Sequence, residues 1–276
     1  MNAPMTAASS SASSAIALPN KERIRQSFDQ AASSYDAAAD VQREMADHLA
    51  VLLSQIETAQ EPAAILDAGC GTGYSAGGLA RRWPGAALTL VDFAPSMLRI
   101  ARHRQPDMTV VCADLEALPF HERAFGGYWS SLAWQWNDTR HCLAEAGRIL
   151  QPGGWLAVST LGADNFPELR HAFADADRYE HVLTPPPPEQ LLADCQAAGW
   201  TVRVWEQRTV RRYYPEARCA LRGIKAVGAR EIIGQRRPTP FSRSLWQGIT
   251  ARYEQLREAA GLPLSYDGVW LIATRP

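Results

Sequence analysis

The sequence predicts an α/β fold in which helices flank a doubly wound, mostly parallel sheet. Three observations carry this reading. From residue 63 onward, short apolar runs alternate with helical stretches; the glycine-rich segment Asp67-Ala68-Gly69-Cys70-Gly71-Thr72-Gly73 joins the first run to the helix after it; and carboxylates, Asp92 and Asp114, stand at the ends of the next two runs. Alternation of this kind is the pattern of βαβ units.

Each element has its own reason. Asn20 is a helix cap, and the spacing of Ile24, Phe28 and Ala31 predicts an amphipathic helix over 20–34. Val41, Met45, Leu49, Leu52, Leu53 and Ile56 recur every three or four residues, a second helix ending near residue 57 before Pro62 resets the chain. Strands are expected at 63–68, 87–92 and 109–113, with helices at 75–82 and 95–104 between them. Two more strands follow at 124–130 and 155–160, separated by a helix over 139–150 that stops before Pro152-Gly153-Gly154. Residues 164–180 and 187–198 read as helices, 201–210 as a strand and 265–274 as an apolar final strand. The connection 211–261 is too long for a loop and is expected to form helices at 218–230 and 244–260. The expected organisation is one domain over 20–276, with helices at 20–58 in front and a basic helical lid at 211–263 inserted before the last strand. The Ala/Ser-rich residues 1–19 read as a disordered tail.

Composition narrows the function. The 276 residues carry 28 Lys plus Arg against 29 Asp plus Glu, and 46% are hydrophobic, so a mostly disordered chain is excluded and a sizeable core is affordable. Near-neutral charge argues against a general polyanion binder. No apolar run approaches the roughly 18 residues of a membrane-spanning helix, and the start of the chain lacks the basic and apolar blocks of a secretory signal. The expectation is a cytoplasmic protein without a membrane partner. Cysteines 70, 112, 142, 195 and 219 form no CxxC pair and no Cys/His cluster, so neither a disulfide framework nor a metal site is indicated. His48, His141 and His181 stand isolated and read as surface or hydrogen-bonded residues. The charge is uneven, however: residues 203–243 hold eleven Lys or Arg against Glu206, Glu216 and Glu231, a local net of +8 that leaves −9 for the rest. Such a run is either a solvated face or a docking surface for an acidic partner.

Glycines at a strand tip let the backbone approach a ligand closely, at the edge where open α/β sheets bind cofactors. The dinucleotide fingerprint asks for another Gly three residues after the second, and Tyr74 stands there instead, which disfavours a dehydrogenase. No Lys-Ser/Thr pair follows, which excludes the phosphate loop of ATPases. The run resembles motif I of the class I S-adenosylmethionine-dependent methyltransferases. That resemblance implies a class I sheet with an antiparallel last strand. It also implies that Asp67, Gly69, Gly71 and Gly73 hold the amino-acid part of the cofactor, Asp92 accepts both ribose hydroxyls, Asp114 accepts from the adenine amino group and Leu115 packs on the ring. Each Asp alone reads as a turn residue or helix cap; three at successive strand ends point to one ligand.

Further motifs narrow the resemblance to the malonyl-[acyl-carrier protein] O-methyltransferases of biotin synthesis, over residues 23–274. They are Phe28-Asp29-Gln30-Ala31-Ala32-Ser33-Ser34-Tyr35 with Gln42, Leu132-Ala133-Trp134-Gln135-Trp136, Ser159-Thr160-Leu161-Gly162 followed by Glu168-Leu169, His181-Val182, and residues 221–229 with Lys225 and Gly228. The Pro185-Pro186-Pro187-Pro188 run and Leu264-Ser265-Tyr266-Asp267 depart from the family's form. The resemblance implies methylation of the free carboxyl of malonyl-acyl carrier protein, or malonyl-coenzyme A, with S-adenosylhomocysteine as product; a monomer without metal is expected, and no DNA partner, because no Asn/Asp-Pro-Pro-Tyr run follows the fourth strand, where Ser130-Ser131-Leu132-Ala133 stands. Gln42 and Trp134 are assigned to the cofactor side.

The chemistry agrees with that acceptor. Methyl transfer from a sulfonium is an in-line displacement, so alignment and exclusion of water are the main tasks. A carboxylic acid is already an anion at neutral pH and needs no base, and the sequence shows no obvious base. Tyr35, in the N-terminal helices, can orient the acceptor oxygen; Gln135 is hard to explain as a core residue. Arg222 and Lys225, three residues apart, are candidates to hold the acceptor carboxylate, against the reading that they are surface charges. Methylation of another small acid or a quinone precursor, and a cofactor-binding assembly protein without methyl transfer, stand as alternatives.

Overall fold

The computed structural model describes residues 20–58, 61–229 and 239–275. The tail expected at 1–19 and the basic residues Arg230, Arg236 and Arg237 lie outside the described residues.

Strand β1 (Ala64–Ala68) is buried from Ile65 to Ala68, as a strand covered on both faces must be. It pairs in parallel with β2 (Ala87–Asp92) on one side and β4 (Phe125–Ser131) on the other. β3 (Thr109–Cys112) extends the sheet beyond β2, and β5 (Leu150–Leu161) beyond β4, again in parallel. β7 (Leu262–Thr274) then inserts antiparallel between β5 and β6 (Thr201–Tyr214), giving the order β3-β2-β1-β4-β5-β7-β6. The chain leaves β1 toward β2 and β3 and later returns to β4 on its other side, so the strand order reverses at β1. A crevice therefore opens above the carboxyl end of β1, where such sheets bind ligands.

Helices α1 (Lys21–Ala38) and α2 (Asp40–Ser54) precede the sheet, and Asn20 caps α1 by accepting from the Arg23 amide at 3.1 Å. The crossovers carry α3 (Ala76–Arg82), α4 (Pro95–Arg104) and α5 (Thr139–Ile149). α6 (Pro167–Phe173) and α7 (Pro188–Ala197) lie between β5 and β6, and α8 (Ala217–Ala226) and α9 (Arg243–Glu254) between β6 and β7. Alternation along the strands splits the core in two. Ile65, Trp129 and Trp155 belong to one apolar cluster, with Met45 and Leu49 of α2, and Leu66, Tyr128 and Leu156 to another, with Leu143 and Ala146 of α5. Trp83 stacks on Trp155 at 5.0 Å within the first.

Five elements differ most from expectation. The helix expected over 164–180 is confined to α6: Pro167 starts it, and Asp175, at a φ of 59°, turns the chain out of helical geometry. Pro152-Gly153-Gly154 lies inside β5 rather than before it, where the pairing register shifts between Phe125 and Gly127. β6 continues four residues past Val210, because Arg211–Tyr214 pair with Ser265–Leu262 of β7. α8 and α9 end before residues 230 and 260; Gly228, at a φ of 75°, follows the first, and a turn in which the Gly261 amide donates to the Glu258 carbonyl follows the second. Among the described residues no helix is long and apolar enough to cross a membrane.

Candidate functional site

The loop after β1 is shaped by backbone hydrogen bonds. The amides of Gly69 and Cys70 both donate to the Val91 carbonyl, at 2.8 and 2.9 Å, and the Gly71 amide donates to Asp92 Oδ2 at 2.9 Å. Gly69 and Gly71 both have positive φ, 76° and 53°. A Cβ on Gly69 would collide with Ala133 at 2.3 Å, while one on Gly71 would meet nothing within 4 Å and would fill the crevice itself. Gly73, also at positive φ, sits against Ala101 of α4.

Two acids lie beneath this loop. Asp67, 2% exposed, has an Oδ2 without a hydrogen-bond partner among the described residues. Burial, and then the charge of Asp92, push its carboxyl up to about 7. Asp92 is raised to about 6 by burial, against the hydrogen bonds it accepts from Ala94 and Gly71. Asp114 lines the same recess with Leu115, Phe93 and Met97, and Lys21 at the start of α1 reaches its two oxygens at 2.8 and 2.6 Å and Glu116 at 2.8 Å.

Helices α1 and α2 close over the loop through polar contacts. Asp36 accepts from Thr72 Oγ1 at 2.7 Å and pairs with Arg104; Asp29 accepts from the Ser96 amide at 2.7 Å; Tyr74 donates to Asp47 at 3.0 Å. This positions Tyr35, which lines the recess beside Asp92 and Asp114, a second recess with Asp67, Gln42 and Ser75, and a third, larger cavity of about 500 Å³. Burial, and then the charges of Asp92 and Asp36, push the Tyr35 phenol up, so it remains a hydroxyl donor and is not a base.

The large cavity has a mostly apolar wall: Phe166, Leu169, Phe173, Leu183, Leu221, Ile224 and Phe241, with Gln42, Gln135, Asn165, His181 and Lys225 among them. It meets the Asp92 recess at Phe28, Tyr35, Leu132 and Trp136. Leu132 has a φ of 52°, a strained conformation for a leucine. Gln135 supports it: its Nε2 donates to the Leu132 carbonyl at 2.7 Å, and its Oε1 accepts from Thr160 Oγ1 at 3.3 Å. His181 Nε2 lies 2.8 Å from Asp177 Oδ1, and the ring stacks on Phe173 at 4.4 Å.

The structure therefore brings together Asp67, Gly69, Gly71, Asp92, Asp114, Leu115, Tyr35 and Gln42 around adjoining recesses. Two of the expected residues stand elsewhere. Trp134 does not line either recess by Asp67 or Asp92; it is 2% exposed, edge-on to Tyr128 at 6.1 Å, and sits in the core with Leu66 and Leu143. Residues two apart in a 3₁₀ turn, here Trp134–Trp136, point in different directions, so Trp136 takes the place at the recess. Arg222 is exposed and does not line the cavity; its guanidinium donates to the Arg218 carbonyl and Cys219 Sγ, both at 3.3 Å. Leu221, Ile224 and Lys225, at positions i, i+3 and i+4 of α8, line the cavity, although Lys225 is itself exposed, and Arg222 falls one step outside this set. Trp136, read from the sequence with Trp134 and Gln135 as wall of the site, does line it. Sequence reasoning missed Lys21, Asn165 and His181 as lining residues, and of these only His181 lay in a motif that could have shown it.

A family model described as a methyltransferase domain matches residues 65–154. A malonyl-[acyl-carrier protein] O-methyltransferase of Dechloromonas aromatica (strain RCB) is 42% identical over 257 residues, covering 93% of this chain and 95% of that protein. A biotin biosynthesis bifunctional protein BioHC of Cellvibrio japonicus (strain Ueda107) is 34% identical, over 93% of this chain and 51% of its own length. Among solved structures, geranyl diphosphate C-methyltransferase from Streptomyces coelicolor A3(2), in complex with Mg2+, geranyl diphosphate and S-adenosyl-L-homocysteine, shares the fold. It has a TM-score of 0.53 at 14% identity, and the match covers 86% of this chain and 82% of that one.

Proposed function

We propose that this chain, which belongs to the malonyl-[acyl-carrier protein] O-methyltransferase family of S-adenosylmethionine-dependent methyltransferases, methylates the free carboxylate of a malonyl thioester borne by acyl carrier protein, for biotin synthesis. The observation that carries it is the junction at Tyr35, where the recess of buried acids opens into a large apolar cavity.

The residues fit the cofactor. The orphaned Asp67 Oδ2 and the raised carboxyls of Asp67 and Asp92 call for a cationic ligand with hydroxyl donors, and the space over Gly71 admits it. Asp67, Gly69 and Gly71 would hold the amino-acid part, Asp92 the ribose and Asp114 with Leu115 the adenine. Bound there, the cofactor supplies an electrophilic methyl group whose in-line displacement leaves S-adenosylhomocysteine. The chain's own part is alignment. Tyr35 donates to the acceptor carboxylate at the junction, Gln135 fixes the Leu132 turn that forms its wall, and Lys225 draws the anion into the cavity. No proton moves, because the acceptor is already ionised. Esterification removes the negative charge, weakens the attraction to Lys225 and favours release.

The test is transfer of labelled methyl to malonyl-acyl carrier protein, with malonyl-coenzyme A and acetyl-acyl carrier protein alongside. Base-labile label in the malonyl thioesters alone is the expected result. Cofactor binding without label in any of them would overturn the reading.

A further inference from the structure

Two buried polar groups among the residues lining the large cavity have no hydrogen-bond partner among the described residues: Trp136 Nε1, at the junction with the Asp92 recess, and Asn165 Nδ2, away from it. Asn165 stands in the loop between β5 and α6, next to Phe166, whose φ of 55° turns the chain into Pro167. Its side chain is fully enclosed, yet the residue lines the cavity together with Tyr35, Gln135 and Lys225. Oδ1 accepts from the Asp267 amide at 3.4 Å, which sets the orientation of the carboxamide. Nδ2 has no hydrogen-bond partner among the described residues. Unpaired amide donors out of water are costly and rare, and one kept at the wall of a ligand cavity asks for an acceptor from the ligand.

Which oxygen it meets follows from the chemistry of the proposed substrate, on which this inference rests. A malonyl thioester offers two polar groups one methylene apart, a carboxylate and a thioester carbonyl. The carboxylate must reach the junction with the cofactor recess, where Tyr35 stands. Asn165 lines the large cavity and not that recess. A neutral amide N–H also matches a neutral carbonyl, whereas the anion is served by a cation and a phenol. We infer that Asn165 Nδ2 donates to the thioester carbonyl oxygen of the acceptor. Asn165 is thereby a specificity-determining residue that selects β-carboxy thioesters over carboxylates lacking the carbonyl.

The experiment compares two acceptors on the full-length protein: malonyl-pantetheine and its thioether analogue, in which CH2 replaces the carbonyl and the carboxylate is retained. A site built to hydrogen-bond a substrate group discriminates against the analogue lacking it. The wild type is expected to prefer the thioester in kcat/KM by about tenfold or more. Asn165→Ala should lose about tenfold on the thioester and stay within about twofold on the thioether, so that the preference collapses while cofactor Kd is unchanged. Asn165→Asp keeps the acceptor for the Asp267 amide but removes the donor, so it serves if the alanine variant does not fold. It too should lose more on the thioester than on the thioether. A wild-type-like ratio in a folded variant overturns the assignment while leaving methyl transfer intact. Failure of the wild type to label either acceptor removes the methyl-transfer reading and this inference with it.

Discussion

Cofactor affinity should rise steeply with pH, because the recess holds protons that a cationic ligand must displace. Asp67 lies near pKa 7 and Asp92 near 6 in the ligand-free protein, raised by burial and, for Asp67, by the neighbouring charge of Asp92. Their two protons belong to a coupled pair. If binding requires ionised Asp67, the free protein is mostly protonated at pH 5.5 and mostly ionised at pH 8, a difference of about 30-fold in Kd from this group alone. Asp92 adds roughly a further factor of 4. Calorimetric titration of S-adenosylmethionine over pH 5.5–8, in buffers of different ionisation enthalpy, should show tightening together with between one and two protons released near pH 6, about 0.9 from Asp67 and about 0.5 from Asp92. The same shift bears on folding with a definite sign. A carboxyl raised above its unfolded value of 3.8 leaves the folded state holding a proton that the unfolded state has lost, so its contribution is most favourable below pH 4 and declines as pH rises through 7. The full shift corresponds to roughly 4 kcal/mol as an upper bound. Asp67→Asn should therefore stabilise the ligand-free protein at pH 8, flatten the pH dependence of binding and weaken Kd at pH 8 by about 10-fold or more. A Kd that stays flat across this range without proton release, or an Asn variant less stable than the wild type at pH 8, would refute the reasoning.

Two further outcomes follow from where side chains lie. Lys225→Ala should raise KM about 5–20-fold for carrier-bound and coenzyme A-bound malonyl alike, because it removes the cavity's cation, whereas Arg222→Ala should raise KM only for the carrier substrate, about 2–5-fold and less at high salt; steady-state kinetics on both substrates at two ionic strengths separates the roles. Trp134→Phe should cost about 1–3 kcal/mol in denaturant unfolding and leave cofactor Kd within about twofold, since this indole is core and not recess wall.

Legibility in the sequence tracked how local each feature is. Strands β1 to β4 and the helices between them were readable to within a residue or two, because the largely buried β1, β2 and β4, and Val110-Val111 of the edge strand β3, read as short apolar runs and each crossover helix lies beside its strand in sequence. The segment 164–180 was not. Leu169, Ala172 and Phe173 have helical spacing, but the left-handed backbone at the exposed Asp175 is a single-residue turn that spacing does not encode. The site divides the same way. Asp67, Gly69, Gly71, Asp92 and Asp114 stand at successive strand ends, where topology alone converges them. The large cavity is assembled from the loop after β5, residues 181–183, helix α8 and Phe241, segments far apart in sequence. Asn165 there has no periodicity or motif to mark it.

Folding also redistributes the basic segment that stood out as a +8 run. In β6, Arg208 and Arg212 reach Glu44 of α2, and Arg211 reaches Glu258. Those cations tie the edge strand to its neighbours and are largely neutralised by them. Arg218, Arg222 and Lys225 lie on α8, the helix that contributes Leu221 and Ile224 to the cavity wall. Arg218 lies over the Trp246 ring at 5.8 Å, and Arg222 bonds only to its own helix among the described residues. On the proposed function, an acidic carrier attracted to α8 would approach beside the cavity that takes its malonyl group, and the same helix would meet the carrier on one face and the acceptor on the other. One turn of α8 would then join surface charge to pocket specificity, which is why Arg222 and Lys225 are expected to separate in their kinetics despite standing three residues apart.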